Sequence, residues 1–417
     1  MARQSARELA LAALREWRTR YQFADSILGR LLRSSDLADS DRAFVTELFY
    51  GVLRNITLLD FWIDSLRKGK LDHSTRDLLR LGLYQLFLIK IPEHAAVNET
   101  VNLANTKARS LVNAVLRNAT REKEHLLKES NSQALSIRES HPPFLIDRWV
   151  KHFGATNAEA LCQWNNQPSP VYARINLLKT SQEKFLGAHP DAKGLTDQAG
   201  FVRLSRLPIE AIARGECYIQ DPSTAIATAL LAPMPGERLL DACAAPGGKT
   251  GYLAQMMNNT GVILACDRDP DRIKTLQGNL ERLGVTITDF GEHDWTSENS
   301  LPAKMVAGSF DRVLVDAPCS NTGVMRRRVD LRWRLNPSDF ARMQQQQVLI
   351  LHAVAPLLKP GGILVYSTCS IEPDENEEVI KAIMAGLPFL KLEKQVALLP
   401  FRDGFDGAFA ARLVREI

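Results

Sequence analysis

Apolar residues recur at helical spacing through the first 140 residues of the chain. Between residues 6 and 17 they occupy positions i, i+3, i+4, i+7 and i+8 on one face, and Ser5 precedes them as an N-cap. The stretches 41–55, 76–88 and 97–117 repeat this pattern, with almost no strand signal between them. The pattern predicts a compact all-α bundle over residues 1–140.

The helical pattern ends at His141-Pro142-Pro143, and the period of the apolar positions changes after it. One more helix is predicted over 144–153. A cluster of turn-forming residues at 165–170 is followed by strand patterns at 171–176 and 201–207. These elements predict a small α+β connector module over residues 141–217.

Short, continuous apolar runs alternate with helical stretches in the last part of the chain. Strands that are buried on both faces of a sheet show such runs, and helices between them imply parallel connections. The pattern predicts an α/β domain with a Rossmann-like, parallel, doubly wound sheet over residues 218–417. The four runs are Arg238–Cys243, Gly261–Asp267, Phe310–Asp316 and Gly361–Ser367.

The composition is that of an ordinary soluble globular protein, with 45% hydrophobic and 24% charged residues in 417. No apolar run approaches the roughly 18 residues of a membrane span, and the first residues lack the apolar core of a signal peptide. A cytoplasmic protein without membrane association is expected. Residues 1–140 carry 22 Lys and Arg against 17 Asp and Glu. This surplus favours a nucleic-acid-facing domain, although an ordinary solvated helical surface would show it too.

The six cysteines form no Cys-x-x-Cys pair, so neither a zinc site nor a disulfide scaffold is predicted. Cys162, Cys217 and Cys266 have the context of small buried hydrophobic residues. Cys319 and Cys369 differ, because each follows an apolar run directly and is flanked by small or hydroxyl residues. Both thiols are expected to line one pocket at the carboxyl ends of neighbouring strands.

The turn after the first apolar run is rich in small residues and opens a helix. A phosphate-binding loop requires glycine where Cys243 stands, and the adjacent pair Gly247-Gly248 lacks the spacing of a dinucleotide fingerprint. Asp267, after the second run, suits two ribose hydroxyls. With a phosphate-binding loop and a dinucleotide site excluded, the turn and Asp267 indicate a nucleoside cofactor that has no phosphate chain. S-adenosylmethionine fits that description. The alternative is a tight strand–helix turn that binds no ligand.

Two thiols beside such a cofactor suit the alkylation of a carbon that is a poor nucleophile. C5 of cytosine is such a carbon. A thiolate that adds at C6 makes C5 nucleophilic, a group near N3 stabilises the adduct, and a base then removes the C5 proton.

Five arginines stand between residues 326 and 334, with Trp333 among them. They are Arg326, Arg327, Arg328, Arg332 and Arg334. This segment is predicted to contact RNA phosphates, and the alternative is an exposed charged loop.

Together these motifs resemble the NOL/NOP/Sun family of RNA cytosine-C5 methyltransferases over nearly the whole chain. The matching motifs are Asp-Ala-Cys-Ala-Ala-Pro-Gly-Gly-Lys-Thr at 241–250, Asp-Ala-Pro-Cys-Ser at 316–320 and Thr-Cys-Ser at 368–370. The N-terminal bundle resembles the NusB RNA-binding fold through residues 41–54 and 112–118. The resemblance implies a class I methyltransferase domain, and the combination with a NusB-like domain implies 16S ribosomal RNA as the substrate.

The resemblance also implies a role for each motif residue. Cys369 is the nucleophile, and Cys319 assists proton removal and release of the product. Asp316 contacts the cytosine ring near N3 and borders the cofactor, and Lys249 lies near the methyl-transfer site. The cofactor is held by Cys243, Ala244, Ala245, Pro246, Gly247, Gly248 and Lys249, with Asp267 on the ribose and Asp294 near the adenine. The chain departs from the family pattern in the spacing of Gly291 and Asp294 and in Ala408, where an aromatic residue is common.

Two other classes of protein share part of this pattern. A non-catalytic RNA-binding or assembly factor would not need both cysteines together with Asp316 and Lys249, and a nucleoside triphosphatase would need glycine at Cys243. The expected target is a cytosine in an RNA loop or junction, because flipping a base out of a duplex costs a few kcal/mol. A monomer without a metal ion is expected.

Overall fold

The computed structural model describes residues 4–297 and 305–417, and the chain divides into two compact units. The first unit is bounded by Met1–Pro168 together with Met325–Leu335, and the second by Ser169–Val324 together with Asn336–Ile417. The domain boundaries 1–140, 141–217 and 218–417 stay a prediction. The compact units differ from them, because the helices up to residue 166 and the segment Met325–Leu335 belong with the bundle.

The first unit is helical, as predicted from its apolar spacing. Its first helix begins with a capping box, in which the Ser5 hydroxyl accepts from the Glu8 amide at 3.2 Å and the Glu8 carboxylate accepts from the Ser5 amide at 2.7 Å. Apolar residues between Ala6 and Leu126 form one continuous core. The helices are α1 (Ala6–Thr19), α2 (Ala24–Arg33), α3 (Asp39–Arg54), α4 (Ile56–Leu66), α5 (His73–Phe87), α6 (Glu93–Asn102), α7 (Thr106–Arg121), α8 (Lys123–Asn131), α9 (Leu135–Arg138), α10 (Pro143–Phe153) and α11 (Ala155–Asn166).

The arginine-rich segment is part of the first unit, and its prediction as an exposed RNA-binding loop is wrong at Arg332. The Arg332 side chain is fully buried. Its guanidinium donates to Asn166 Oδ1 at 2.7 Å, to the Asn165 carbonyl at 3.1 Å and to the Ser140 carbonyl at 3.2 Å. Carbonyl and amide oxygens accept these hydrogen bonds, and in the part of the chain that the structure describes no carboxylate forms an ion pair with Arg332. Burial lowers the pKa of Arg332 to about 9.

Arg326, at the start of the same segment, is also buried and is also wrongly predicted to face RNA. Its guanidinium donates to the Pro168 carbonyl at 2.6 Å and lies over the Trp164 ring at 4.2 Å from the ring centroid. Arg328 is exposed, as predicted for the whole segment. The sequence pattern could not separate these cases, because charge density says nothing about which arginines find buried acceptors.

Asp330 joins the same segment to the first two helices. Its carboxylate accepts from the Trp17 indole at 3.0 Å, from the Ala24 amide at 3.0 Å and from the Arg334 guanidinium at 2.9 Å. The side chain is almost completely buried. The segment Met325–Leu335 therefore contributes to the core contacts of the helical unit.

Replacement of Arg332 by alanine is expected to destabilise the helical unit. The substitution leaves buried oxygen acceptors without donors, so we expect the free energy of unfolding to fall by about 3 kcal/mol or more. Arg328→Ala is the matched control and should change it by no more than about 0.5 kcal/mol. Urea denaturation of both variants measures the difference. If the free energy of unfolding falls equally in the two variants, a structural role for Arg332 is contradicted.

The second unit begins with a small antiparallel sheet and two short helices, as the α+β pattern predicts. Its strand order is β2-β3-β1-β4. Arg174 in β1 is buried, donates to the side chains of Gln220 and Gln255, and lies 4.5 Å from the centroid of the Tyr252 ring. These contacts attach the small sheet to the helix Gly248–Met256. The elements are β1 (Val171–Ile175), α12 (Gln182–Ala188), β2 (Lys193–Gly194), β3 (Phe201–Leu204), α13 (Ile209–Arg214) and β4 (Cys217–Ile219).

The rest of the second unit is built around a seven-stranded sheet of order β10-β11-β9-β8-β5-β6-β7. The strands β9, β8, β5, β6 and β7 are parallel, and β11 and β10 are antiparallel additions. The elements are α14 (Ala225–Leu231), β5 (Arg238–Asp241), α15 (Gly248–Met256), β6 (Val262–Asp267), α16 (Pro270–Leu283), β7 (Thr288–Glu292), β8 (Phe310–Asp316), α17 (Pro337–Val354), β9 (Leu358–Thr368), α18 (Glu377–Gly386), β10 (Leu390–Leu398), α19 (Pro400–Asp403) and β11 (Ala408–Arg415).

Both faces of the large sheet are buried, which explains its continuous apolar runs. Leu240 contributes to a core with α17 and α18, whereas the adjacent Leu239 contributes to a core with α14 and α15 on the opposite face. The predicted fold class is confirmed. Within residues 4–297 and 305–417, no helix is both long enough and apolar enough to cross a membrane.

Candidate active site

The carboxyl ends of four adjacent strands carry the residues that the motifs single out. The strands β9, β8, β5 and β6 are neighbours in the sheet and run parallel. The turn Cys243–Lys249 follows β5, Asp267 ends β6, Asp316 ends β8, and Cys369 directly follows β9. Ligands of doubly wound sheets bind at this edge. The structure therefore places these motif residues at one edge of one sheet.

The turn after β5 is shaped by small residues and by Thr250. Gly247 has a φ of 103° at the N-cap of α15, in the left-handed region that favours glycine. The Thr250 hydroxyl donates to Asp241 Oδ2 at 2.7 Å, and burial raises the pKa of Asp241 to about 7. The buried Asp241 Oδ1 has no partner within the described residues. An unpaired buried acceptor beside this turn fits a ligand that brings a hydrogen-bond donor.

A cavity lies beside the turn and contains the residues expected to hold the nucleoside part of a cofactor. Asp267 is almost fully buried, and its carboxylate pairs with Arg272 at 3.1 Å and accepts from the Ala245 amide at 3.3 Å. Asp294 accepts from the amide and the hydroxyl of Thr296 at 2.9 and 2.7 Å. The cavity is lined by Ala242, Cys243, Asp267, Arg268, Arg272, His293, Asp294, Trp295, Thr296, Pro318, Gln346 and Ile350.

Lys249 and Asp316 form an ion pair at the centre of the site. Lys249 Nζ lies 2.6 Å from Asp316 Oδ2, and Ser367 Oγ donates to Asp316 Oδ1 at 3.3 Å. Burial by itself would lower the pKa of Lys249, but the Asp316 carboxylate outweighs burial and raises it. Lys249 is therefore a protonated cation at neutral pH, held between α15 and the end of β8.

The two motif cysteines are in contact. Cys319 Sγ lies 3.4 Å from Cys369 Sγ, which agrees with the prediction that both thiols line one pocket. The two are not equivalent, because Cys319 is buried and Cys369 is partly exposed. The hydrogen bond with Cys369, burial and the nearby charges raise the pKa of Cys319 well above its usual value. Cys369 is thus the more accessible thiol, and Cys319 keeps its proton at neutral pH.

Asn321 contacts both cysteines and had no assigned role in the motif. Its Oδ1 accepts from Cys369 Sγ at 3.1 Å, and its Nδ2 donates to the Cys319 carbonyl at 2.7 Å. Its φ of 59° lies in the left-handed region, which asparagine tolerates better than most residues. The amide thus orients the Cys369 thiol. Only the fold that brings the two loops together reveals this contact.

The remaining cysteines that were interpreted as small hydrophobic residues are buried, which confirms that interpretation. Burial raises the pKa of Cys162 and of Cys266 to about 12, and that of Cys217 to about 11. These thiols stay protonated at neutral pH and are poor nucleophiles.

Comparisons with known protein families match three parts of the chain. Residues 228–414 match the 16S rRNA methyltransferase RsmB/F family, residues 4–121 match the NusB family, and residues 141–192 match the ferredoxin-like domain of the RsmF/B-like methyltransferases.

Curated relatives align over the full length. The chain is 35% identical to the probable ribosomal RNA small subunit methyltransferase B of Bacillus subtilis, with 100% of each chain covered. It is 36% identical to the ribosomal RNA small subunit methyltransferase B of Salmonella typhi, with 91% of this chain and 92% of that protein covered. A solved methyltransferase homologue from Pyrococcus horikoshii is 29% identical, with a TM-score of 0.59, and covers 67% of this chain and 97% of its own.

The fold and these matches define a methyltransferase that acts on RNA. More specifically, the chain belongs to the ribosomal RNA small subunit methyltransferase B family, with a NusB domain at its N-terminus.

Proposed function

We propose that this protein transfers a methyl group from S-adenosylmethionine to C5 of one cytosine in 16S ribosomal RNA, through a covalent bond between Cys369 and C6. The observation that carries the proposal is the contact between two unequal thiols, 3.4 Å apart. One is accessible, and the other is buried and protonated. Cytosine-C5 methylation needs a nucleophile for C6 and a second group for the removal of the C5 proton, and this pair can supply both.

The reaction follows from the positions of these side chains. The Cys369 thiolate gives its electron pair to C6, and the C5–C6 double-bond pair moves to C5, which takes the methyl group. Cys319 then gives its own proton to water, and the resulting thiolate accepts the C5 proton. The C5–H pair restores the double bond, and the C6–S bond breaks with its pair returning to Cys369. The raised pKa of Cys319 makes its thiolate a strong base once it has ionised.

S-adenosylmethionine supplies an electrophilic methyl sulfonium when it is bound. The turn Cys243–Lys249 would hold it, with Asp267 on the ribose and Asp294 near the adenine, since both carboxylates line the same cavity. Asp267 is paired with Arg272, so the ribose hydroxyls would share this carboxylate with the guanidinium. Asp316, fixed by Lys249, borders the cofactor and contacts the cytosine ring near N3.

The NusB-like bundle binds RNA in this proposal, and the target is a cytosine in a loop or junction, where unstacking a base costs least. The enzyme acts in the cytoplasm as a monomer and requires no metal ion. These statements rest on the family relationship and on the sequence.

The proposed specificity is tested by incubating the protein with unmodified 16S RNA and S-adenosylmethionine that carries a labelled methyl group. We expect label in RNA, and nucleoside mass spectrometry should find it as 5-methylcytidine. The same RNA premethylated to completion by the enzyme should accept none. Label in another nucleoside would contradict cytosine-C5 specificity. RNA binding without any methyl transfer would favour a non-catalytic assembly factor.

A further inference from the structure

Glu375 is a buried carboxylate that contacts the residue following each motif cysteine. It lies in the turn Pro373–Glu375, six residues after Cys369, and its side chain is fully buried. Oε1 accepts from the hydroxyls of Ser320 and Ser370, the second at 2.8 Å. Oε2 accepts from the Ser320 amide at 2.8 Å. Ser320 follows Cys319, and Ser370 follows Cys369. One carboxylate therefore connects the two cysteine loops.

The hydrogen-bond donors around Glu375 favour its ionised form. A fourth donor, the Gln347 side-chain amide, reaches Oε2 at 3.0 Å. The Ser320 and Gln347 N–H groups can only donate, so Oε2 acts as an acceptor for both of them. Burial raises the pKa of Glu375 above its usual value, and the hydrogen bonds from Ser320, Ser370 and Gln347 act against burial. Within residues 4–297 and 305–417, no Lys or Arg forms an ion pair with it.

Burying a carboxylate without a cation costs free energy of folding. Apolar side chains of similar volume would often join two loops with equal or greater stability. Its hydrogen bonds do what apolar packing cannot, since they fix the direction and separation of the groups they contact. Gln347 extends this effect, because the same amide also donates to the Pro318 carbonyl at 2.9 Å, one residue before Cys319. The geometry around the thiol pair is therefore determined by Glu375 from both sides.

The charge of Glu375 also acts on the thiols. The ionisable groups around the pair are the two thiols themselves, Glu375, the Lys249–Asp316 ion pair and the Tyr366 phenol. The Tyr366 hydroxyl donates to the Glu375 carbonyl at 2.6 Å. The Glu375 carboxylate is a like charge for a Cys319 thiolate, so it adds to the effect of Cys369 and of burial and raises the pKa of Cys319.

We propose that Glu375 is the positioning residue of the thiol pair: through Ser320 and Ser370 it sets the separation and orientation of Cys319 and Cys369. Its connections to both cysteine loops carry this proposal, which rests on the proposed function for its catalytic meaning. Glu375 acts on the thiols through its hydrogen bonds to Ser320 and Ser370, which are the residues next to the two cysteines.

The test uses Glu375→Gln, which keeps the shape of the side chain and removes the charge. We expect methyl transfer to fall by about 10- to 100-fold, since small misplacements of reacting groups have effects of this size. The pH profile of product release should shift about one unit lower, because Cys319 loses a like charge. Glu375→Asp keeps the charge but shortens the side chain, so its rate should fall while its pH profile stays at the wild-type position.

Glu237→Gln is the matched control. This carboxylate accepts from the Arg312 guanidinium at 2.6 Å at the opposite, amino edge of the same sheet, so its loss affects stability without touching the cysteine loops. Its pH profile should be that of the wild type. If Glu375→Gln does not fold, Ser370→Ala is used instead. It removes the hydrogen bond from Ser370 to Glu375 and should also lower the rate of methyl transfer.

A second measurement separates failure of this proposal from failure of the proposed function. Alkylation of Cys319 by iodoacetamide, followed by mass spectrometry across pH, needs neither RNA nor a methyl donor. In Glu375→Gln the alkylation of Cys319 should begin at lower pH than in the wild type. An unchanged alkylation profile, or a wild-type rate in folded Glu375→Gln, would overturn the role of Glu375 even if the enzyme methylates RNA as proposed.

Discussion

Cys369→Ala is expected to lower methyl transfer to 16S RNA by about 10³-fold or more, because loss of a covalent nucleophile removes the reaction path and not only a contact. The alanine side chain is smaller than cysteine at a partly exposed position, so folding should be preserved. Transfer of labelled methyl groups to unmodified RNA measures the rate, and filter binding measures whether RNA is still bound. RNA binding should remain close to that of the wild type.

The matched control for this variant is Cys162→Ala in the helical unit. Burial raises the pKa of Cys162 to about 12, so this thiol is not a nucleophile at neutral pH. The control variant should methylate RNA at nearly the wild-type rate. Normal turnover by Cys369→Ala would contradict its role as the nucleophile and would leave Cys319 as the remaining thiol at the site.

Cys319→Ala is expected to trap RNA on the protein. Cys369 can still attack C6 and C5 can still take the methyl group, but the C5 proton then has no thiolate within reach, and the C6–S bond persists. We expect the trapped complex because Cys319 Sγ lies 3.4 Å from Cys369 Sγ, and Cys369 forms the C6–S bond that must break. A denaturing gel with unmodified 16S RNA and S-adenosylmethionine should show a slowly migrating band.

The Cys319→Ala/Cys369→Ala double variant is the control for this gel, and its lane should lack the slow band. Loss of the band in the double variant would assign the covalent bond to Cys369. A band that persists would place the bond on another residue. Clean release of RNA by Cys319→Ala, with normal turnover, would contradict the assignment of Cys319 to proton removal.

The main features of the catalytic unit could be predicted from the sequence. The four predicted strands correspond to β5, β6, β8 and β9, with ends that differ by no more than a few residues. The prediction succeeds because a strand buried on both faces has a nearly continuous apolar run, which is a strong local signal. Because parallel strands have their carboxyl ends at one edge, the motifs that follow them are brought together by the topology alone.

The two edge strands of the large sheet could not be predicted in this way. β7 (Thr288–Glu292) has the sequence Thr-Asp-Phe-Gly-Glu and lies at one edge, where it pairs with β6. β10 (Leu390–Leu398) lies at the other edge, where it pairs with β11. An edge strand is partly exposed, so its sequence keeps polar residues, and its structure depends on hydrogen bonds from a neighbouring strand.

The sequence by itself determined the fold class and the approach of Cys319 to Cys369, because apolar periodicity predicts parallel strands and each of these cysteines follows such a strand. Only the tertiary structure decided that Arg332 is buried and that Glu375 joins the two cysteine loops. Charged residues are usually exposed, so a sequence pattern assigns them to the surface. Their burial here depends on acceptors and donors that are distant in the chain: Ser140 lies 192 residues from Arg332, and Ser320 lies 55 residues from Glu375.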